Sequence, residues 1–150
     1  MKFLKRRRSK TYKIISKKSL GHKETLFEVY APDIAAKAQP GQFVMVIIHE
    51  KGERIPLTIC GYDAKKGTVS FAFHEVGKTT KELGCLNVED SIMNVTGPLG
   101  NPSEIKKYGK VLCVGGSIMI APIMLQVKAM KEAGNKVTTV LGCRSKDFLF

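Results

Sequence analysis

Residues 110–124 read KVLCVGGSIMIAPIM, and the way this stretch folds decides the architecture of the whole chain. Lys110 to Val114 is a short apolar run of the length of a buried strand. Gly115 and Gly116 follow, then apolar side chains at helical spacing over residues 120–133, opened by Pro122. Lys136 to Leu141 reads as a second strand. Strand, glycine turn, helix and strand make one βαβ unit, which requires a parallel sheet. Glycines between a strand and a helix let the backbone come close to a phosphate. Ser117 and Met119 stand inside that turn, so its fitness for a nucleotide is the question the stretch raises.

Upstream, from Tyr12 to Gly100, the period changes. Six short β-rich runs succeed one another: Tyr12 to Lys17, Leu26 to Ala31, Phe43 to His49, Pro56 to Tyr62, Thr68 to His74 and Ser91 to Thr96. Turn chemistry separates them at Pro32-Asp33, Gln39-Pro40-Gly41, Lys51-Gly52-Glu53 and Lys65-Lys66-Gly67. Strands at this spacing predict a small six-stranded antiparallel barrel. One short helix interrupts it, Thr79 to Leu83, with Gly84 read as its C-terminal cap. The cluster Gly97-Pro98-Leu99-Gly100-Asn101-Pro102 marks a boundary. The expected organisation is a basic tail over 1–11, a barrel over 12–100, a linker over 101–109, and the start of a nucleotide-binding domain over 110–150.

Charge is unevenly placed. The net charge is +12, yet residues 1–23 hold ten of the 25 Lys and Arg and no acid, so the remainder is near neutral. Lys5-Arg6-Arg7-Arg8 has the chemistry to meet phosphates. No aromatic platform accompanies it, so a solvated tail is favoured over nucleic-acid binding. No apolar stretch reaches the roughly 18–20 residues that span a bilayer, and the N-terminus lacks the apolar core of a secretory signal. A cytoplasmic protein is expected. Cys60, Cys85, Cys113 and Cys143 are too scattered for a zinc or iron–sulfur ligand set, and read as reduced thiols.

Two further runs carry chemistry. Glu53-Arg-Ile-Pro-Leu-Thr-Ile59 puts a charge, a proline and a hydroxyl into an apolar strand, and His74-Glu-Val-Gly-Lys-Thr-Thr80 opens the short helix. Backbone N–H groups at a helix start, beside lysine and threonine, make a phosphate cradle. The second run is no P-loop, because position 72 holds alanine where the upstream glycine belongs.

Taken in order, RIPLTI, HEVGKTTKEL, GPLGNP, GGSIMIAP and LGCRSKD resemble the ferredoxin–NADP reductase superfamily. Within it they are most similar to the flavoprotein subunits of NADH-dependent ferredoxin:NADP oxidoreductase, also called sulfide dehydrogenase, and to the electron-transfer subunit of dihydroorotate dehydrogenase. The resemblance runs from about Tyr12 to the end and covers roughly the front half of a typical member. It implies an FAD-binding barrel followed by the first βαβ unit of an incomplete nucleotide-binding domain. It further implies that Pro56, Leu57 and Thr58 lie along the isoalloxazine, with Thr58 near the flavin N5. Gly77, Lys78, Thr79 and Thr80 would hold the FAD pyrophosphate, with Arg54 and His74 as further FAD contacts. Gly115, Gly116, Ala121 and Pro122 would form the NAD(P) loop, and Gly142 and Arg144 would flank that nucleotide.

The sequence departs from the family pattern in three places. Arginine commonly stands directly before the proline, whereas Ile55 is there and Arg54 comes one residue earlier, a shift that turns a strand side chain to the other face. The family loop is usually GGGxGxAP, and Ser117 and Met119 replace its third and fourth glycines. The resemblance puts the family's [2Fe–2S] cysteines near the C-terminus of its members, so the cluster is expected only in a missing C-terminal half and not in this chain.

Ser145-Lys146-Asp147 reads as a helix start, but Phe148-Leu149-Phe150 ends the chain. Two parallel strands and one helix leave a sheet open at its edge. The expectation is therefore the front part of a longer protein, or a subunit completed by a partner: a larger oxidoreductase subunit, ferredoxin, or another copy joined through the unfinished sheet. The functional expectation is an electron-transfer flavoprotein, an FAD-dependent NAD(P)H/ferredoxin oxidoreductase in type. The alternative is a non-catalytic diverged barrel that binds a partner.

Overall fold

The structure is a computed structural model that describes residues 11–146. The Lys5 to Arg8 run and the end of the chain from Asp147 to Phe150 lie outside the described residues.

Seven strand segments form one curled antiparallel sheet in the order β6-β1-β2-β5-β4-β3-β7. They are β1 (Tyr12–Gly21), β2 (Glu24–Tyr30), β3 (Phe43–Ile47), β4 (Ile55–Asp63), β5 (Thr68–His74), β6 (Ser91–Ile92) and β7 (Asn94–Leu99). The expected sixth strand is a single stretch broken at Met93. Its first segment pairs Tyr12↔Ile92 at one edge, and its second pairs Val46↔Val95 at the other. One short stretch thereby lies on both edges and curls the sheet into a barrel, which removes exposed strand edges.

Alternation fills the interior. Phe27 and Val29 of β2, and Val69, Phe71 and Phe73 of β5, all point inward and are buried. The Phe27 ring meets Phe71 and Phe73 edge-on, with centroids 6.4 and 5.1 Å apart. Each such side chain contributes roughly 1.5–3 kcal/mol by leaving water. A one-turn helix, α1 (Pro32–Ala35), caps one end with Ile34 and Ala35 buried.

The second helix, α2 (Lys78–Cys85), is longer than the sequence predicts, and Gly84 lies inside it instead of capping it. The cap falls to Leu86, and the terminal carbonyls find another donor: Lys17 Nζ of β1 donates to Gly84 O at 2.6 Å and to Leu86 O at 2.9 Å. A cation at a helix C-terminus also offsets the helix dipole. A β-carbon at position 84 would displace the Glu75 carboxylate, the far end of a flexible side chain.

After the barrel come β8 (Lys110–Gly116), a single 3₁₀ turn (Ser117–Met119), α3 (Ile120–Glu132) and β9 (Lys136–Gly142). β8 and β9 pair in parallel from Lys110↔Lys136 to Gly116↔Gly142. α3 packs on this pair with one side and on β4 and β5 of the barrel with the other. It buries Ile120 and Val127 and lays Leu125 against the barrel core. Cys113 faces the helix and is buried, whereas Leu112 and Val114 point the other way and are 62% and 63% exposed.

Candidate functional site between barrel and nucleotide loop

β4 is built so that one face feeds the core and the other faces α3. Leu57 and Ile59 are buried, while Pro56 is exposed and Thr58 half-buried on the opposite parity. A cavity of about 200 Å³ opens there, with Pro56, Leu57 and Thr58 on one wall, His74 and Thr80 beyond them, and Met119 and Pro122 opposite. Thr58 has no hydrogen-bond partner for its hydroxyl among the described residues, so its polar atom is available to a ligand.

A second cavity, of about 440 Å³, adjoins the first and shares Thr58, Met119 and Pro122 with it. Gly115 and Gly116 also line it, and Gly41, Val114, Ile123 and Gln126 contribute the remainder. The two glycines differ in what they do. A β-carbon at Gly115 would lie 2.8 Å from Ile123 Cγ2, so glycine is what lets α3 sit close to β8. At Gly116 the nearest atom would be Gly142 O, at an ordinary 3.4 Å, so glycine there serves open space.

The two replaced glycines separate in the same way. Ser117 has φ 50°, in the left-handed region that glycine favours. Its hydroxyl donates to Glu24 Oε1 of β2 at 3.2 Å, which ties the loop to the barrel. Glu24 is itself 1% exposed, and its Oε2 has no partner among the described residues. Met119 has φ −71°, in the ordinary right-handed region, so the backbone asks for nothing special there. Only its side chain matters: it is 53% exposed and lines both cavities.

A third cavity, of about 360 Å³, brings His74 together with Ser117 and Arg144, and adds His22, Lys23 and Val76. Beyond Val76 in the chain, α2 begins at Lys78. Gly77 N–H donates to Thr80 Oγ1 at 3.1 Å, and the Thr80 hydroxyl donates back to Gly77 O at 3.2 Å. Thr79 is buried, and its hydroxyl donates to Glu53 Oε2 at 2.8 Å. Both threonine hydroxyls thus hold the helix start in shape, which leaves Lys78 and the backbone N–H groups facing solvent.

Of the residues singled out from the sequence, Pro56, Leu57, Thr58, His74, Thr80, Gly115, Gly116 and Pro122 converge on the first two cavities. Arg144 reaches the third. Ala121 turns to a separate apolar cleft with Cys60 and Met124, and Gly142 pairs with Gly116 across β8 and β9. Arg54 is exposed just ahead of β4, and Gly77 and Lys78 are exposed at the helix start; none of the three lines these cavities. Sequence reasoning passed over Glu24, Gly41 and Gln126. Gly41 carried a turn signal, at φ 90°, but a turn signal does not say which cavity it borders.

No family model matches the chain. It is 51% identical over 123 residues to the dihydroorotate dehydrogenase B (NAD(+)) electron transfer subunit homolog of Thermotoga maritima, a match that covers 82% of this chain and 44% of that protein. The dihydroorotate dehydrogenase B (NAD(+)) electron transfer subunit of Bacillus caldolyticus is 36% identical over 118 residues, covering 75% and 46%. Among solved structures, that of the NADH-dependent reduced ferredoxin-NADP oxidoreductase superposes with a TM-score of 0.90 at 46% identity, over 94% of this chain and 51% of that one. Phthalate dioxygenase reductase shares the fold at 19% identity, with a TM-score of 0.71 over 93% and 45%. The chain spans about half the length of the curated relatives it matches.

Proposed function

With a chain that matches the N-terminal part of the ferredoxin–NADP reductase superfamily and resembles its electron-transfer subunits as the premise, we propose that it binds FAD on β4 and receives a nicotinamide nucleotide at the loop after β8. The observation that carries this reading is Thr58, which lines both adjoining cavities and has an uncommitted hydroxyl. Bound FAD would supply hydride exchange with NAD(P)H and release of single electrons to an iron–sulfur or ferredoxin partner, chemistry that belongs to the cofactor.

The chain's own residues bind and orient. Pro56 would offer an apolar contact, and Thr58, on the same face of β4, a hydrogen bond to the edge of the ring. Exposed Lys78 and the N–H groups at the start of α2 would hold the pyrophosphate, because a helix N-terminus favours anions. Gly115, Gly116 and Pro122 hold the loop close to β4, and Arg144 stands beyond the parallel strands. These residues fit the cofactor in donor chemistry: unpartnered hydroxyl, exposed lysine, bare backbone.

The exposed Leu112 and Val140 on one face of β8 and β9 suit a partner surface, which favours action within a larger assembly. Met119 supports a second reading, a barrel that keeps flavin but obstructs the nucleotide. The decisive experiment adds FAD to the purified chain, removes the excess, and records the visible spectrum before and after anaerobic NADH or NADPH. A retained, shifted flavin band that bleaches on reduction is expected. Retention without bleaching supports the obstructed barrel, and folded protein without flavin overturns both.

A further inference from the structure

Glu24 opens β2 and is buried, yet the barrel core does not bury it. Phe27 and Val29 point inward, so Glu24 falls with Leu26 and Glu28 on the outward parity of the strand. Ser117 of the 3₁₀ turn reaches it from outside: its hydroxyl donates to Glu24 Oε1 at 3.2 Å, while Oε2 has no partner among the described residues. Burying a carboxylate is costly unless hydrogen bonds compensate it. An apolar side chain would fill this position without that cost, so packing alone does not account for a carboxylate here.

Ser117 presents the matching anomaly. It is exposed, and its φ of 50° is a left-handed backbone that glycine adopts freely and serine at a cost. What serine adds over glycine is the hydroxyl, and that hydroxyl is engaged with Glu24. The bond sits where it governs the loop. Ser117 starts the 3₁₀ turn, and the next two residues, Ile118 and Met119, line the cavity of about 200 Å³ together with Thr58. On the barrel side, Glu24 pairs with His74 across β2 and β5, and His74 lines the same cavity. α3 reaches its neighbours further along, through Leu125 on the barrel core and Gln126 donating to Ser103 of the linker at 2.9 Å. Those contacts hold the helix, whereas the Ser117–Glu24 bond holds the turn that precedes it.

We propose that Glu24 and Ser117 form a latch that fixes the loop after β8 over β4, with Glu24 as a positioning residue for the nucleotide this loop receives. The latch is a property of the chain itself, and its role toward the nucleotide rests on the function proposed above. Glu24 lines neither of the two adjoining cavities and acts only through Ser117.

Ser117→Gly removes the donor and keeps the left-handed backbone, Glu24→Leu removes the acceptor, and Glu24→Gln keeps an acceptor without the charge. On backbone grounds alone Ser117→Gly relieves strain, so the latch predicts the opposite sign. In the 150-residue chain without cofactor, amide hydrogen exchange at Ile118, Met119 and Ile120 is measured and corrected for intrinsic rates. It is expected to quicken about tenfold in Ser117→Gly and in Glu24→Leu, the loss of one hydrogen bond to a charged acceptor, and to stay near the parent in Glu24→Gln. Parent-like exchange in Ser117→Gly or in folded Glu24→Leu, or Glu24→Gln as fast as Glu24→Leu, overturns the latch. The second readout is flavin bleaching in the FAD-loaded chain, with whichever of NADH or NADPH reduces the parent. At saturating nucleotide the rate is expected to fall about tenfold in Ser117→Gly, while the dissociation constant moves by less than about threefold, the mark of lost positioning rather than lost binding. A parent-like rate in a variant whose turn exchanges faster overturns the positioning role. A parent that holds no flavin, or is not reduced, defeats the function proposed above, and the exchange comparison then decides the latch by itself.

Discussion

Gly115 and Gly116 are neighbours with separable duties. Gly115→Ala drives a β-carbon to 2.8 Å from Ile123 Cγ2 and 3.3 Å from its Cβ, overpacking that typically costs about 1–3 kcal/mol. Urea denaturation is expected to show a lower midpoint with an unchanged slope. Gly116→Ala meets only Gly142 O at 3.4 Å, so the fold tolerates it while nicotinamide-nucleotide affinity falls. Met119→Gly tests the obstruction directly: tighter nucleotide binding is expected, measured by flavin quenching, and no gain counts against obstruction. Cys60 is a different kind of residue. Burial pushes its thiol from 9.0 up to about 12, so at pH 8 a maleimide is expected to label exposed Cys85 and spare Cys60. Because the folded pKa is raised, the stability contributed by the neutral thiol is whole below pH 9 and is lost as pH climbs towards about 12. The glycine pair was legible in the sequence because strand, turn and helix lie next to one another along the chain. Glu24 was not, since its partner Ser117 is 93 residues away and no local pattern records such a contact.

Elements are held by side chains whose roles the sequence leaves silent. Asn135, buried between α3 and β9, is fully engaged: its Oδ1 accepts from Tyr108 N at 2.6 Å and Gly109 N at 2.9 Å, and its Nδ2 donates to Lys106 O and Met130 O, both at 2.9 Å. It sews the segment before β8 to the end of α3. Asn135→Ala strands these backbone groups, and each buried unsatisfied group costs about 1–3 kcal/mol. Hydrogen exchange is expected to quicken in β8 and β9 with little change in β2 or β5. Lys17 does comparable work for α2, and it explains why that helix runs past the glycine that looked like its end. A cap supplied from β1 is invisible to any reading of the helix sequence alone. The six β-rich runs were legible because alternation is a local signal, but the break at Met93 depends on pairing with two distant strands.

At the scale of the molecule, burial is lopsided. The main core lies inside the barrel, from Ile14 to Val95, whereas the βαβ unit buries Cys113, Ile120, Val127 and Asn135 among the described residues. Regions with few buried apolar contacts open at lower free energy. Amide exchange is therefore expected to be slowest in β2, β4 and β5 and markedly faster in β9; equal protection would contradict this division. The stretch from Ser91 to Leu99, which lies on both edges of the barrel, also dictates the order of assembly. Tyr12 waits for Ile92 before its edge is covered, so β1 leaves the ribosome long before its outer neighbour is made. Such sequence-distant closure slows folding, and until it happens the nascent chain carries two bare strand edges at once, its period of greatest exposure to wrong partners.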